Sequence, residues 1–131
     1  MCRMAIRCLI VDDSPWFAAE AGNLLEEEGI RVLGVATGGD EAVRLARVLR
    51  PDLALVDIDL GGESGLAVAR RLCAEQDGSL AGAVILISTH GEEEFTELIA
   101  ASPAVGFLAK SELSADAIEA LLVSRQQQPV E

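Results

Sequence analysis

Four short runs of this chain are almost wholly aliphatic, and each stops on a polar residue. Residues 6–11, interrupted at Arg7, lead into Asp12 and Asp13, and 53–56 lead into Asp57. Residues 83–87 lead into Ser88, and 105–109 into Lys110. A strand wet on one face alternates polar and apolar residues. Runs without alternation belong to a sheet covered on both faces, the parallel kind. Parallel strands need long crossovers, and the intervening segments have apolar residues at helical spacing.

Ser14-Pro15 reads as an N-cap with proline at the first helical position, opening a helix through Ala18, Ala21, Leu24 and Leu25. Gly29 closes it in a left-handed cap. Residues 31–36 form a second strand. Gly38-Gly39-Asp40 starts a helix with Ala42, Val43, Leu45, Ala46 and Leu49 apolar, stopped by Pro51. Strand three is 53–57, and a third helix over 64–75 buries Leu66, Ala69 and Leu72. After a polar loop over 76–82 comes strand four. Helix four has Glu92, Glu93 and Glu94 in its first turn, where the dipole favours them, and Phe95, Leu98 and Ile99 on one face. Pro103 ends it. Strand five is 106–109, and Ser114 caps a fifth helix through Ile118, Leu121 and Leu122. The chain is thus an α/β domain with (βα) repeated five times. Right-handed crossovers put helices on both faces of a parallel sheet.

One domain, 1–125, accounts for the core, and 126–131 are a polar tail. The formal charge of −12 repels phosphate backbones, which argues against direct nucleic-acid binding. No run reaches the roughly 18 apolar residues of a membrane span. Three scattered cysteines, Cys2, Cys8 and Cys73, give no disulfide framework and suit a reducing cytoplasm. Cys8, inside a strand, reads as a small core residue.

The carboxyl ends of parallel strands share one edge, where open α/β folds place their sites. Asp12, Asp13, Asp57, Ser88 and Lys110 therefore converge. Taken singly they have ordinary uses: the acidic pair can cap a helix, Ser88 can be a solvated loop residue, and Lys110 a surface charge. Packing does not ask for all five together.

In order and spacing these residues resemble the receiver domain of bacterial two-component response regulators, over essentially the whole chain. The stretch Asp57-Ile58-Asp59-Leu60-Gly61-Gly62-Glu63-Ser64-Gly65 resembles the family's D-x-x-L/M-P-x-x-x-G, and Phe107 stands at its aromatic switch position. Two positions depart: Gly61 replaces a proline, which loosens the loop, and Ser111 replaces the proline that commonly follows the lysine. The stretch from Val105 to Ser111 resembles the branch whose receivers often precede a helix-turn-helix domain.

The resemblance implies a doubly wound, flavodoxin-like fold, chemotaxis-regulator-like, with strand order 2-1-3-4-5. It implies a signalling module, not an enzyme, that takes a phosphoryl group on Asp57 from a histidine kinase or histidine phosphotransfer protein. An acyl phosphate is a high-energy covalent state that a carboxylate can form. Mg²⁺ held by Asp12, Asp13, Asp57 and the Asp59 carbonyl relieves crowding of the carboxylates, which otherwise raise one another's pKa. Lys110 and Ser88 stabilise the transferring oxygens. Phosphorylation draws Ser88 inward and frees space for Phe107, altering the face of helix four, strand five and helix five that meets a protein target. Asp59 and His90 flank the path of a hydrolytic water, and Trp16, just past the acidic pair, is a fluorescence reporter.

Two other readings compete. Asp57-Ile58-Asp59 also resembles the D-x-D pair of haloacid-dehalogenase-like phosphatases, but those place it on the first strand, with the acidic pair last. The chain also fits a receiver fragment cut from a helix-turn-helix transcription regulator.

Overall fold

The computed structural model describes residues 5–73, 82–89 and 96–127. Most of the polar loop over 76–82, His90, the three glutamates 92–94, Phe95 and residues 128–131 lie outside them.

Strands β1 (Arg7–Val11), β2 (Arg31–Ala36), β3 (Leu53–Asp57), β4 (Val84–Ser88) and β5 (Gly106–Ala109) form one parallel sheet, ordered β2-β1-β3-β4-β5. Helices α1 (Pro15–Glu27), α2 (Gly39–Leu49), α3 (Gly65–Cys73), α4 (Thr96–Ala100) and α5 (Ala115–Gln127) follow the strands in turn. This is the doubly wound fold and strand order that the resemblance implies. Successive strand residues point to opposite faces, and the core divides accordingly. Leu9, Val11, Ala54, Val56, Val84 and Leu86 meet Ala42, Val43, Ala46 of α2 and Leu66, Ala69, Leu72 of α3. Cys8, Ile10, Leu53, Leu55, Ile85 and Ile87 meet Ala18, Ala21, Leu25 of α1 and Ala115, Ile118 of α5. Each wholly buried leucine or isoleucine among them contributes about 1.5–3 kcal/mol.

The caps follow the sequence. Ser14 Oγ accepts from the Phe17 N–H at 3.3 Å, Gly29 has φ +96°, and Ser114 Oγ accepts from the Ala117 N–H at 3.0 Å. Arg7, the interruption in the first apolar run, donates to the Leu49 and Arg50 carbonyls at 2.6 and 2.7 Å. It satisfies the end of α2 where Arg50 turns left-handed, φ +50°.

Two expectations are corrected. β5 is only partly covered: Phe107 packs on one core and Leu108 on the other, but all four residues of this edge strand are half-buried. Leu98 does not share the inward face of Ile99; it is 51% exposed while Ile99 packs on the core, as adjacent helical residues point about 100° apart. The third helix, expected from about Ser64, begins at Gly65 and is described to Cys73, residues 74 and 75 lying outside the described residues; Ser64 stands before it as a weak cap, its Oγ 3.4 Å from the Ala67 N–H.

Candidate functional site

β1, β3, β4 and β5 deliver their carboxyl ends, or the residues just beyond them, to one cleft of about 630 Å³, lined by Asp13, Asp57, Asp59, Ser88 and Lys110 among others. Asp12 lies beneath it, wholly buried. The Asp12 Oδ1 accepts from the Ser14 N–H at 2.8 Å, so this carboxylate turns the chain into α1 as well as facing the site. Carboxylate oxygens of Asp12, Asp13 and Asp57 lie within 4.8 Å of one another. Lys110 Nζ stands 2.7 Å from Asp12 Oδ2 and 2.9 Å from Asp57 Oδ2. The ammonium also lies over the Phe17 ring of α1, 4.2 Å from its centre. Lys110 is the chain's one lysine.

Asp57 sits at the end of a fully buried strand, with its Oδ1 accepting from the Asp59 N–H at 3.0 Å. Burial is the largest influence on its carboxyl and raises it above the ordinary value. The Lys110 ammonium and Asp59 N–H pull it down less strongly, and the neighbouring Asp12 adds a smaller upward push. Crowding of carboxylates is thus the lesser cause and burial the greater. For Lys110 burial opposes the charge, but Asp12 and Asp57 together outweigh it and hold the ammonium above its ordinary value. Both members of the pair move up: for Lys110 two carboxylates outweigh burial, and for Asp57 burial outweighs the ammonium and the Asp59 N–H.

The donor set suits a hard divalent cation: two of the three carboxylates are buried, all oxygens, one face open to solvent. Among the described residues Asp12 Oδ2 accepts no directed hydrogen bond, and the charge of Lys110 answers it at 2.7 Å. The Asp59 carboxylate stays outside this cluster, accepting from the Gly61 N–H at 3.2 Å.

The loop after Asp57 is set by backbone. Gly65 donates its N–H to the Ile58 carbonyl at 2.7 Å, and a Cβ there would lie 1.8 Å from the Asp57 carbonyl oxygen. Gly61 does more than loosen the loop. Its φ of +63° is closed to proline, and a Cβ there would meet Asp13 Oδ2 at 2.5 Å. The peptide after Lys110 is trans, and the lysine opens a 3-10 turn over Lys110–Glu112.

All five converging residues are where the sequence places them; Trp16 is 72% exposed. Sequence reasoning missed Phe17 beneath the lysine and Glu63, whose Oε1 accepts from the Gly39 N–H at 2.9 Å. The apolar face of α1 signals the first. The second shows only in the pairing of a Gly-Gly helix start with a lone acid in a glycine loop.

Among curated proteins the chain is similar to the DNA-binding transcriptional activator EvgA of Escherichia coli (strain K12), 31% identical over 82% of this chain and 51% of that protein. It is similar also to the positive alginate biosynthesis regulatory protein of Pseudomonas aeruginosa, 40% identical over 86% of this chain and 44% of that one. The chain thus spans about half the length of these relatives. Among solved structures it resembles a two-component response regulator of the LuxR family from Aurantimonas sp. SI85-9A1, with TM-score 0.79 and 26% identity over 92% of this chain and 87% of that one. The family model of the response regulator receiver domain matches residues 8–122, and the chain belongs to that family.

Proposed function

We propose that the domain accepts a phosphoryl group on Asp57 from a histidine kinase or histidine phosphotransfer protein in the cytoplasm, and signals by binding another protein in the phosphorylated state. The observation that carries this reading is Lys110 Nζ bridging Asp12 and Asp57 at 2.7 and 2.9 Å beside an open acidic cleft. An Asp57 carboxylate oxygen attacks phosphorus as the bond to the donor's imidazole nitrogen breaks. The electron pair stays on the ring, and an acyl phosphate results. Asp12, Asp13, Asp57 and the Asp59 carbonyl would hold a Mg²⁺ ion, which would neutralise charge at the phosphoryl oxygens. Lys110 adds the second positive charge and the Ser88 hydroxyl a hydrogen bond; positioning and charge are what a loose phosphoryl-transfer transition state requires.

Movement of Ser88 toward the phosphoryl group reaches Phe107, which is half-buried and lies opposite Leu86 in the β4–β5 ladder. The face of α4, β5 and α5 then differs between states, which needs only a few kcal/mol of bias. Acetyl phosphate with Mg²⁺ should label the wild type once per chain on a phosphate-affinity gel and leave Asp57→Asn unlabelled. Labelling of the variant moves the acceptor elsewhere.

A second reading, a receiver module of a DNA-binding regulator, has one observation in its favour. A matched relative is a DNA-binding transcriptional activator of which this chain spans 51%. An immunoblot of native cells decides it: a band at 13.8 kDa supports the separate domain, and one at about twice that mass supports the module.

A further inference from the structure

α2 begins without a cap of its own. Gly38, at the N-cap, has no side chain to offer, and the helix's first N–H, that of Gly39, is met instead by Glu63 Oε1 at 2.9 Å. Glu63 comes from the loop after Asp57, 24 residues along the chain. The fit is cut to this carboxylate: a Cβ on Gly39 would lie 2.5 Å from Glu63 Oε2, and one on Gly38 would lie 3.3 Å from Glu63 Oε1. The loop has turn bonds of its own, the Leu60 N–H to the Glu63 carbonyl at 2.9 Å and the Gly61 N–H to Asp59 Oδ1 at 3.2 Å, but Gly61 and Gly62 are both left-handed at φ +63° and +103°, and Glu63 ties the loop to α2. A second tie runs alongside, Arg71 of α3 donating to Asp40 Oδ1 of α2 at 3.0 Å.

We propose that Glu63 is a positioning residue: its carboxylate seats the loop after Asp57 on the N-terminus of α2, fixing where that loop presents its backbone to a divalent cation. The bond is charge-assisted and lies at the positive end of the helix dipole, so it is strong for a loop contact. It takes the place of the rigidity that Gly61 and Gly62 give up. It also holds an acidic side chain of the cleft rim away from the carboxylates of Asp13 and Asp57. The proposal rests on the cation-dependent acceptor reading given above.

Three variants separate position from charge, with Mg²⁺ affinity read by calorimetry and Gly39 amide exchange by NMR. Glu63→Ala loses both bond and charge, and weakens Mg²⁺ binding at least threefold while Gly39 exchange quickens. Gly39→Ala keeps the charge but crowds the Glu63 carboxylate at 2.5 Å, and with it Arg71 Nη1 at 2.9 Å and Val68 Cγ2 at 3.0 Å, and weakens binding to a similar extent. Glu63→Gln keeps an acceptor without the charge, and falls between wild type and Glu63→Ala. The proposal is overturned if Glu63→Ala binds Mg²⁺ within twofold of wild type, or if Glu63→Gln is as weak as Glu63→Ala. If the wild type itself neither binds Mg²⁺ nor labels with acetyl phosphate, the acceptor reading falls and the positioning role of Glu63 with it.

Discussion

Replacing Lys110 by methionine removes one charge and leaves two behind. The ammonium stands 2.7 Å from Asp12 and 2.9 Å from Asp57, with side-chain exposures of 12%, 0% and 9% for the three residues. At an effective dielectric of about 20, unit charges about 2.8 Å apart attract by roughly 6 kcal/mol. Desolvation offsets much of this, and breaking a buried pair from one side typically costs about 3–5 kcal/mol, because the orphaned charge stays buried. For a chain of this length that is a fall of about 10–20 °C in the melting midpoint of the metal-free protein at pH 7. Methionine keeps an unbranched apolar side chain beside Phe17, so the loss reports chiefly the charge. Two controls follow. In Asp57→Asn the same lysine replacement costs less, since a single carboxylate remains. The deficit also shrinks on acidification, as the orphaned carboxylates take up protons. Scanning calorimetry of the four proteins at pH 7 and pH 5 checks it. A loss under about 1 kcal/mol, or one that does not shrink toward acid, would show that the lysine does not hold these carboxylates.

Asp57→Asn should itself stabilise the metal-free protein at pH 7. Folded Asp57 binds its proton to higher pH than the unfolded chain, so its contribution to stability falls as pH rises through the folded value. The gain should vanish as pH drops toward the ordinary value of 3.8, and no gain at pH 7 refutes the assignment. Gly65→Ala should cost more than about 3 kcal/mol or fail to fold, because its methyl would meet the Asp57 backbone, which cannot yield as a side chain can; urea unfolding measures it, and a near-neutral result means the loop moves freely. Cys8 is fully buried, and burial pushes its thiol up to about 12. A maleimide at pH 8 should label it only after denaturation, and native labelling as fast as that of Cys73 refutes this.

What could be read before folding was whatever has a period or an edge. Runs without alternation gave the parallel sheet, and their last residues gave Asp12, Asp13, Asp57, Ser88 and Lys110, because strand ends in such a sheet share one rim. Helix caps at Ser14, Gly29 and Ser114 were legible for the same local reason. Contacts that depend on how one crossover leans on the next were not. Glu63 reaches Gly39 from another βα unit, and Leu98 turns outward because the inward direction of α4 falls on Ile99. The half-exposure of β5 depends on strand order, which no property of residues 106–109 contains.

With a single lysine in the chain, amine chemistry has two targets, the α-amino terminus and the ammonium that pairs with the proposed acceptor. A dye, crosslinker or biotin attached through succinimidyl esters will therefore either decorate the terminus or disable the domain. The same scarcity makes one residue's acylation rate, read by mass spectrometry, a direct gauge of whether that ion pair is closed.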